Sequence, residues 1–521
     1  MSTPDPLPAD ERHAQDSYLV IGEGLFIEGA RSAVAPADAP AEARRFRFSR
    51  LGRRGTQVSP AIRREVAKAM AHTGGGSPGI PAGYTYLGQF IDHDLTFDKT
   101  PLGPDVSPAE MLQNRSPALD LDSLYGAGPG RTPRFFEANR RKLRTGATVK
   151  TSNANPGARG FDVPREGAKA LIPDRRNDEN LAVAQTHAAF IRFHNRVVEE
   201  LASVPADQRF RQARRAVTKH YQWTIRHDYL PRICDPAVVD DVFLNGRKVF
   251  EVGVDPTAVP TMPVEFSIAA FRLGHSMVRA SYQWNAVFGP DIATLPTLFD
   301  FSGTSGFLTK ANPLPANWPA DWRRLYDFPA AGHPSLKAPP GKFNRAMRID
   351  TRLVDPLATL PLRTLGLDRP PRPRIRLNLA FRNLERARMV KLASGQGMVR
   401  FLGEKGITVK ALTKAQIRDG DGGASLAGLN TQQRQAFLDH TPLWFYILRE
   451  AELNGGQLTG VGARIVAETF HRAMEGSRDS IVRDTAFKPE FGPDDHTFNM
   501  PDLLFFAFEG KTALLNPVKP E

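Results

Sequence analysis

Gly88-Gln89-Phe90-Ile91-Asp92-His93-Asp94 sets one imidazole between two carboxylates, with a primary amide, Gln89, four residues before it. A histidine flanked in this way can ligate a metal, act as a general base, or sit hydrogen-bonded in a core. Three later stretches add what one histidine lacks: Asp174-Arg175-Arg176-Asn177-Asp178-Glu179, then Phe271-Arg272-Leu273-Gly274-His275, then Arg382-Asn383-Leu384-Glu385-Arg386. Together they offer a base that moves a proton and a guanidinium that meets developing negative charge while staying protonated. They also offer a second imidazole, and an amide to hold that imidazole's other nitrogen.

A different chemistry is suggested between Pro117 and Gly126, where Asp120 and Asp122 alternate. In extended chain, residues two apart point the same way, so Ser116, the Ala118 carbonyl, Asp120 and Asp122 can converge. Hard oxygen ligands of this kind suit calcium; an ordinary turn is the plainer reading. His187, His194 and His440 have no such company and are read as core or surface histidines.

The elements that must position these groups are mostly helical. Ile62, Val66 and Met70 at fourfold spacing predict a helix from Pro60 to His72, stopped by Gly74-Gly75-Gly76. Leu181, Ala184, Ala188, Ile191, Val198 and Leu201 trace the apolar face of a helix from about Asp178 to Leu201. Arg176 and Glu179, three apart, should share one side of its start. Another helix is expected over Val264–Ser281, and two more over Pro442–Leu453 and Gly462–Met474. Arg140 to Pro173 reads as a long polar loop or hairpin, and strand-like alternation is scarce.

The 521 residues, 41% hydrophobic, are enough to bury a large core. Residues 1–45 are a Pro/Ala-rich arm and 46–515 one catalytic body. No apolar run is long enough to span a membrane, and no ordinary signal peptide opens the chain, so cytoplasmic residence or leaderless export is expected. A lone Cys234 excludes an intramolecular disulfide framework. The net charge of +13 favours acidic partners, but its arginines are spread in pairs and no nucleic-acid-binding motif occurs, so no nucleic acid is expected. Nothing in the residues speaks to oligomeric state.

Four separated motifs in this order resemble the animal haem peroxidase (peroxidase-cyclooxygenase) superfamily, and the Ile191–Arg196 and Ile349–Leu357 segments look closer to its bacterial branch. The resemblance implies a single mostly α haem peroxidase domain with little β-structure. It makes His93 the distal acid-base residue, Gln89 the holder of distal water or peroxide, and Arg176 the distal cation. His275 would ligate the iron of haem b, Asn383 would accept the proton of its second nitrogen, and Arg272 and Arg386 would face the propionates. Asp92 and Glu179 stand where the family forms ester bonds to the haem. Asn180 stands where a mammalian relative has a sulfonium-forming methionine, so that third bond is missing and chloride oxidation is less expected. Asp94 joins Ser116, Ala118, Asp120 and Asp122 in the family's calcium site.

The implied activity uses hydrogen peroxide to form Compound I and oxidises halides, thiocyanate or phenols. The alternative is a haem-dependent fatty-acid dioxygenase, but the position three before His275, where such enzymes carry a tyrosine, is Arg272. An inactive haem-fold binding protein would be expected to lose His93, Arg176 or His275, and all three are present. Met389-Val390, where many relatives have Asp-His, and the missing cysteines set the chain apart from the secreted animal enzymes.

Overall fold

The computed structural model describes residues 46–71, 79–100, 102–150, 159–303, 307–309, 312–362 and 370–518. The arm over 1–45, the Gly74–Gly76 stop and the Ser152–Pro156 part of the polar loop lie outside the described residues.

Helix α1, Pro60–Met70, opens with proline at its first position and Ser59 accepting from the Ile62 amide, two features that favour a helix start. It buries Ile62, Val66 and Met70, as their spacing predicts. Helix α2, Gly83–Leu95, carries Gln89, Asp92, His93 and Asp94. It is anchored where Tyr326 donates to the Gly83 carbonyl at 2.8 Å; a Cβ on Gly83 would lie 2.3 Å from that ring, so only glycine allows the approach.

Helix α3, Leu181–Glu200, starts three residues later than expected. The preceding Arg175–Asp178 is a 3-10 turn whose cap, Asp174, accepts from the Arg176 amide. Asn180 is extended (φ −147°), which separates the two helices, and its side chain caps α3 by accepting from the Val183 amide. Arg176 and Glu179 therefore share one side of a 3-10 turn, where residues three apart eclipse. Phe90 of α2 stacks on Phe190 of α3 with centroids 4.4 Å apart, which locks the two helices together. Helix α4, Ala206–Thr224, runs into a π-helical turn, Ile225–Tyr229.

The expected single helix over Val264–Ser281 is instead three short pieces: Val264–Ile268, a 3-10 turn Ala270–Leu273, and Gly274–Met277, with extended chain from Val278. Arg272 explains part of the break. Its Nε donates to the Ser267 carbonyl at 3.0 Å, an acceptor that a continuous helix would have paired with a backbone amide. Helices α5 (Pro236–Asn245), α6 (Leu379–Met389), α7 (Leu443–Glu452), α8 (Gly460–Glu475) and α9 (Met500–Ala507) complete the main body. Helix α6 lies on α1, α5 and α7 on α8, and α9 on α3.

The polar stretch after Arg140 contains strand pairs, Gly146–Ala147 with Arg159–Asp162 and Arg165–Glu166 with Lys169–Ala170. Among the described residues the sheets are two-stranded only. The mostly α expectation holds, and no described helix is long and apolar enough to cross a membrane.

Candidate functional site

Helix α2, the turn before α3 and the broken segment around His275 enclose one cavity. Its wall includes Gln89, Asp92, His93, Glu179, Asn180, Arg272 and His275, with Leu295, Phe299, Leu357 and Leu360 toward its apolar side. The space, mouth included, is about 960 Å³. The first three motifs thus meet at one cavity, and the fourth reaches it through Asn383 beside His275.

On the α2 side, His93 is buried and its Nδ1 lies 2.8 Å from Asn177 Oδ1. Burial, and after it the charge of Arg176, lower the His93 pKa to about 3, so the ring is neutral. Its Nε2 stands 3.7 Å from Glu179 Oε1, beyond hydrogen-bond range. Gln89 donates to that same Glu179 oxygen and accepts from Asn180 Nδ2 at 3.1 Å. Burial raises the Glu179 pKa to about 8, outweighing the pull of Arg176, so the acid is mostly protonated at neutral pH. Asp92 is also raised by burial, against the charges of Arg176 and Arg272, and accepts from Thr96 Oγ1 at 3.2 Å.

Arg176 lies behind His93 and outside the cavity lining. Its Nη2 donates to the His93 carbonyl at 3.0 Å, and Nε and Nη2 reach the two oxygens of Asp174 at 3.1 and 2.7 Å. Its guanidinium covers the Phe97 ring at 4.1 Å, and its Nη1 is buried with no hydrogen-bond partner. Burial opposes ionisation of Asp174, but Arg176 and Arg115 outweigh it and hold the carboxyl far below the usual range.

On the opposite side His275 is half-buried, and burial, then Arg272, lower its pKa to about 3. A neutral imidazole is what a metal-ligating histidine requires. Asn383 meets it, but the amide faces the other way from the expected one: Nδ2 lies 3.0 Å from His275 Nδ1, while Oδ1 accepts from Arg272 Nη1. Arg272, expected to face a propionate, lines the cavity and is engaged by Asn383 and the Ser267 carbonyl. Arg386 is fully buried outside the cavity lining, donating to the Thr100 carbonyl at 2.7 Å and pairing with Asp98 at 3.4 Å.

The calcium candidates also converge. One carboxylate oxygen each from Asp94, Asp120 and Asp122 lies within 4.8 Å of the others. Asp94 accepts from the Leu121 and Ser123 amides at 3.2 Å and from Ser123 Oγ at 2.8 Å. Ser116 Oγ donates to Asp120 at 3.2 Å, the Ala118 carbonyl accepts from the Asp120 amide, and Leu121 takes a left-handed conformation (φ 59°) to close the loop. Burial raises Asp94 and Asp122, with the neighbouring carboxylates adding to it. Arg115, buried, pairs with Asp122 at 3.2 Å and with Asp174 at 2.6 Å. The acidic cluster is therefore joined to Arg176 through Arg115 and Asp174.

Sequence reasoning missed Asn177, Arg115 and Tyr229. Tyr229 ends the π-helical turn and lines the cavity; a Cβ on Gly88 would lie 2.3 Å from its hydroxyl. Asn177 stood inside a quoted motif without a role. Only its neighbours in space give it one.

A sequence model of the animal haem peroxidase family matches residues 94–296. Thyroid peroxidase of Rattus norvegicus is 29% identical over 188 residues, 33% of this chain and 20% of that protein. A peroxidase-like protein of Margaritifera margaritifera is 32% identical over 253 residues, 37% of this chain and 31% of that protein. Human eosinophil peroxidase is 25% identical over 399 residues, 75% of this chain and 48% of that protein. The matched parts span less than half of these relatives' lengths.

The fold is that of peroxidase A from Dictyostelium discoideum (TM-score 0.55, 16% identity, 91% of this chain and 94% of that one). It is equally that of a fatty acid alpha-dioxygenase from Oryza sativa (TM-score 0.54, 12% identity, 96% and 86%). Over residues 94–296 the chain is similar to the animal haem peroxidase family, and its fold is shared with both solved proteins.

Proposed function

We propose that the chain binds a haem between His93 and His275 and acts as a hydrogen-peroxide-dependent peroxidase. The observation that carries this reading is the pair of neutral imidazoles, His93 and His275, lining one cavity together with the carboxyl groups of Asp92 and Glu179. The fit is good in most respects: the lining is largely apolar, Asp92 and Glu179 share the His93 side, and Nε2 of His275 has no hydrogen-bond partner among the described residues. Arg386 and the Asn383 amide depart from the expected arrangement, as described above.

When bound, the haem would supply the iron that accepts peroxide oxygen and the oxidising equivalents. His275 Nε2 would hold it, and Asp92 and Glu179 could form its ester links. The rest is done by the chain. Neutral His93 accepts the proton of incoming hydrogen peroxide at Nε2 and can return it to the leaving oxygen. Gln89 presents an amide beside that proton path. Arg176 provides fixed positive charge within reach of Asp92, His93 and Glu179. The apolar lining limits water around the reacting atoms.

Phenols, iodide, bromide and thiocyanate are the proposed donors; the absence of a methionine at Asn180 disfavours chloride. The clustered carboxylates of Asp94, Asp120 and Asp122 exceed the single guanidinium touching Asp122, which favours calcium there. The dioxygenase reading lacks its tyrosine at Arg272.

The test is stopped-flow absorbance of the haem-loaded protein mixed with hydrogen peroxide, beside His93→Ala, followed by iodide, bromide, thiocyanate or a phenol. Loss of Soret intensity that needs His93 and is reversed by a donor supports the reading. A band indifferent to peroxide, or no band, overturns it.

A further inference from the structure

We infer that Asn177 is a positioning residue that keeps the His93 proton on Nδ1, and that it couples the His93 tautomer to that of His187 through the two ends of its amide. The inference deepens the proposed peroxidase reading, since it concerns the base of that site, but its geometry stands on the protein alone.

A neutral imidazole carries one proton, and only the nitrogen without it can act as a base. His93 can serve the cavity only if Nε2 is bare, so the proton must sit on Nδ1. Glu179 Oε1, at 3.7 Å, is too distant to fix a proton on Nε2. Asn177 Oδ1, at 2.8 Å from Nδ1, accepts one there. The amide's other end meets a second imidazole. Asn177 Nδ2 lies 3.0 Å from His187 Nδ1, which must then be the bare nitrogen of His187, with that ring's proton on Nε2.

All three side chains are buried, and burial lowers the His187 pKa to about 3, so it too is neutral. His187 Nε2 has no hydrogen-bond partner, so a proton there is buried without an acceptor, a cost that the two hydrogen bonds of Asn177 must outweigh. The chain His93–Asn177–His187 is thus a closed set: turning the amide over would move both histidine protons together. When His93 gains a second proton, Oδ1 still accepts from Nδ1, so the imidazolium keeps its hold.

The test is long-range proton–nitrogen NMR of the full chain labelled at histidine nitrogens, without haem, at neutral pH. We expect the proton on Nδ1 of His93 and on Nε2 of His187. Asn177→Leu should give His93 a mixed or reversed tautomer. Asn177→Asp, which offers only acceptor oxygens, should keep His93 on Nδ1 but move the His187 proton to Nδ1. Should Asn177→Leu fail to fold, His187→Phe frees the amide and should show two His93 tautomers.

With haem loaded, cyanide association, which requires a bare base to take its proton, should slow at least tenfold in Asn177→Leu with the Soret band retained. It should stay within a few-fold of wild type in Asn177→Asp. A wild-type His93 carrying its proton on Nε2, or an Asn177→Leu variant with unchanged tautomer and cyanide rate, overturns the inference. Expected tautomers in a chain that never acquires a Soret band would uphold it and sink the peroxidase reading instead.

Discussion

The two walls of the cavity are built to different degrees of completion. On the α2 wall, Gln89, Glu179, Asn180, His93, Asn177 and Arg176 form a net in which each group is placed by another buried group. On the opposite wall, His275 is half-buried and its amide partner is drawn off by Arg272. An iron-ligating histidine needs an acceptor at Nδ1, because its proton must reside there once Nε2 bonds the metal. Asn383 can provide one only by turning over, which takes Oδ1 away from Arg272. Under the proposed peroxidase reading, the His93 side would then need no rearrangement, whereas ligation by His275 would require Asn383 to turn over and let go of Arg272.

The difference can be broken most severely at the two histidines. His275→Ala should abolish haem retention, read as loss of the Soret band after desalting. His93→Ala should retain the band while the reaction with peroxide slows by roughly two to four orders of magnitude. Equal haem loss in both would erase the contrast.

Next in size is Arg115→Met, which leaves Asp122 without its buried counter-charge and Asp174 with Arg176 alone. Breaking such a pair costs about 3–5 kcal/mol, and unfolding by denaturant should show it. Added calcium should restore part of that loss, since a cation beside Asp122 relieves the same repulsion; no response to calcium in either protein would count against the metal site.

Acid gives a graded probe of both walls. His93, His187 and His275 all have folded pKa values lowered to about 3, against about 6.5 when unfolded. Their contribution is present above about pH 6.5 and is lost as pH falls toward 3, because the unfolded chain then binds more protons. In haem-free protein near pH 5 the slope should approach about 4 kcal/mol per pH unit from these three groups. His187→Phe should remove about one proton from the uptake measured on unfolding.

The smallest effect is expected from Asn383→Leu, which should weaken haem affinity by roughly 10- to 100-fold, the usual range for partners behind a metal ligand. An effect at the low end would show that Arg272, freed by the change, compensates.

Much of this was legible in the chain. Periodicity placed α1 well, because Ile62, Val66 and Met70 repeat on one buried face, and a proline start with a glycine stop placed α7. It failed over Val264–Ser281, where apolar spacing continues through Phe271 but the backbone breaks so that Arg272 can reach Ser267 and Asn383. No local signal encodes a contact 111 residues away. The motif residues were found by type, and most meet at the cavity; Arg386 stays behind its wall. The orientation of Asn383, the bridge through Arg115 and the role of Asn177 are properties of neighbours in space, for which one sequence carries no mark.

Asn180 holds a last consequence. Its oxygen caps α3 and its nitrogen fixes Gln89, so this one side chain maintains both a helix start and the amide nearest the base. A methionine there, the gain that would open the sulfonium route, would forfeit a cap worth about 1 kcal/mol and set Gln89 adrift. Any substitution at Asn180 must therefore supply two hydrogen bonds from one side chain, or give up a helix start and the position of Gln89 together.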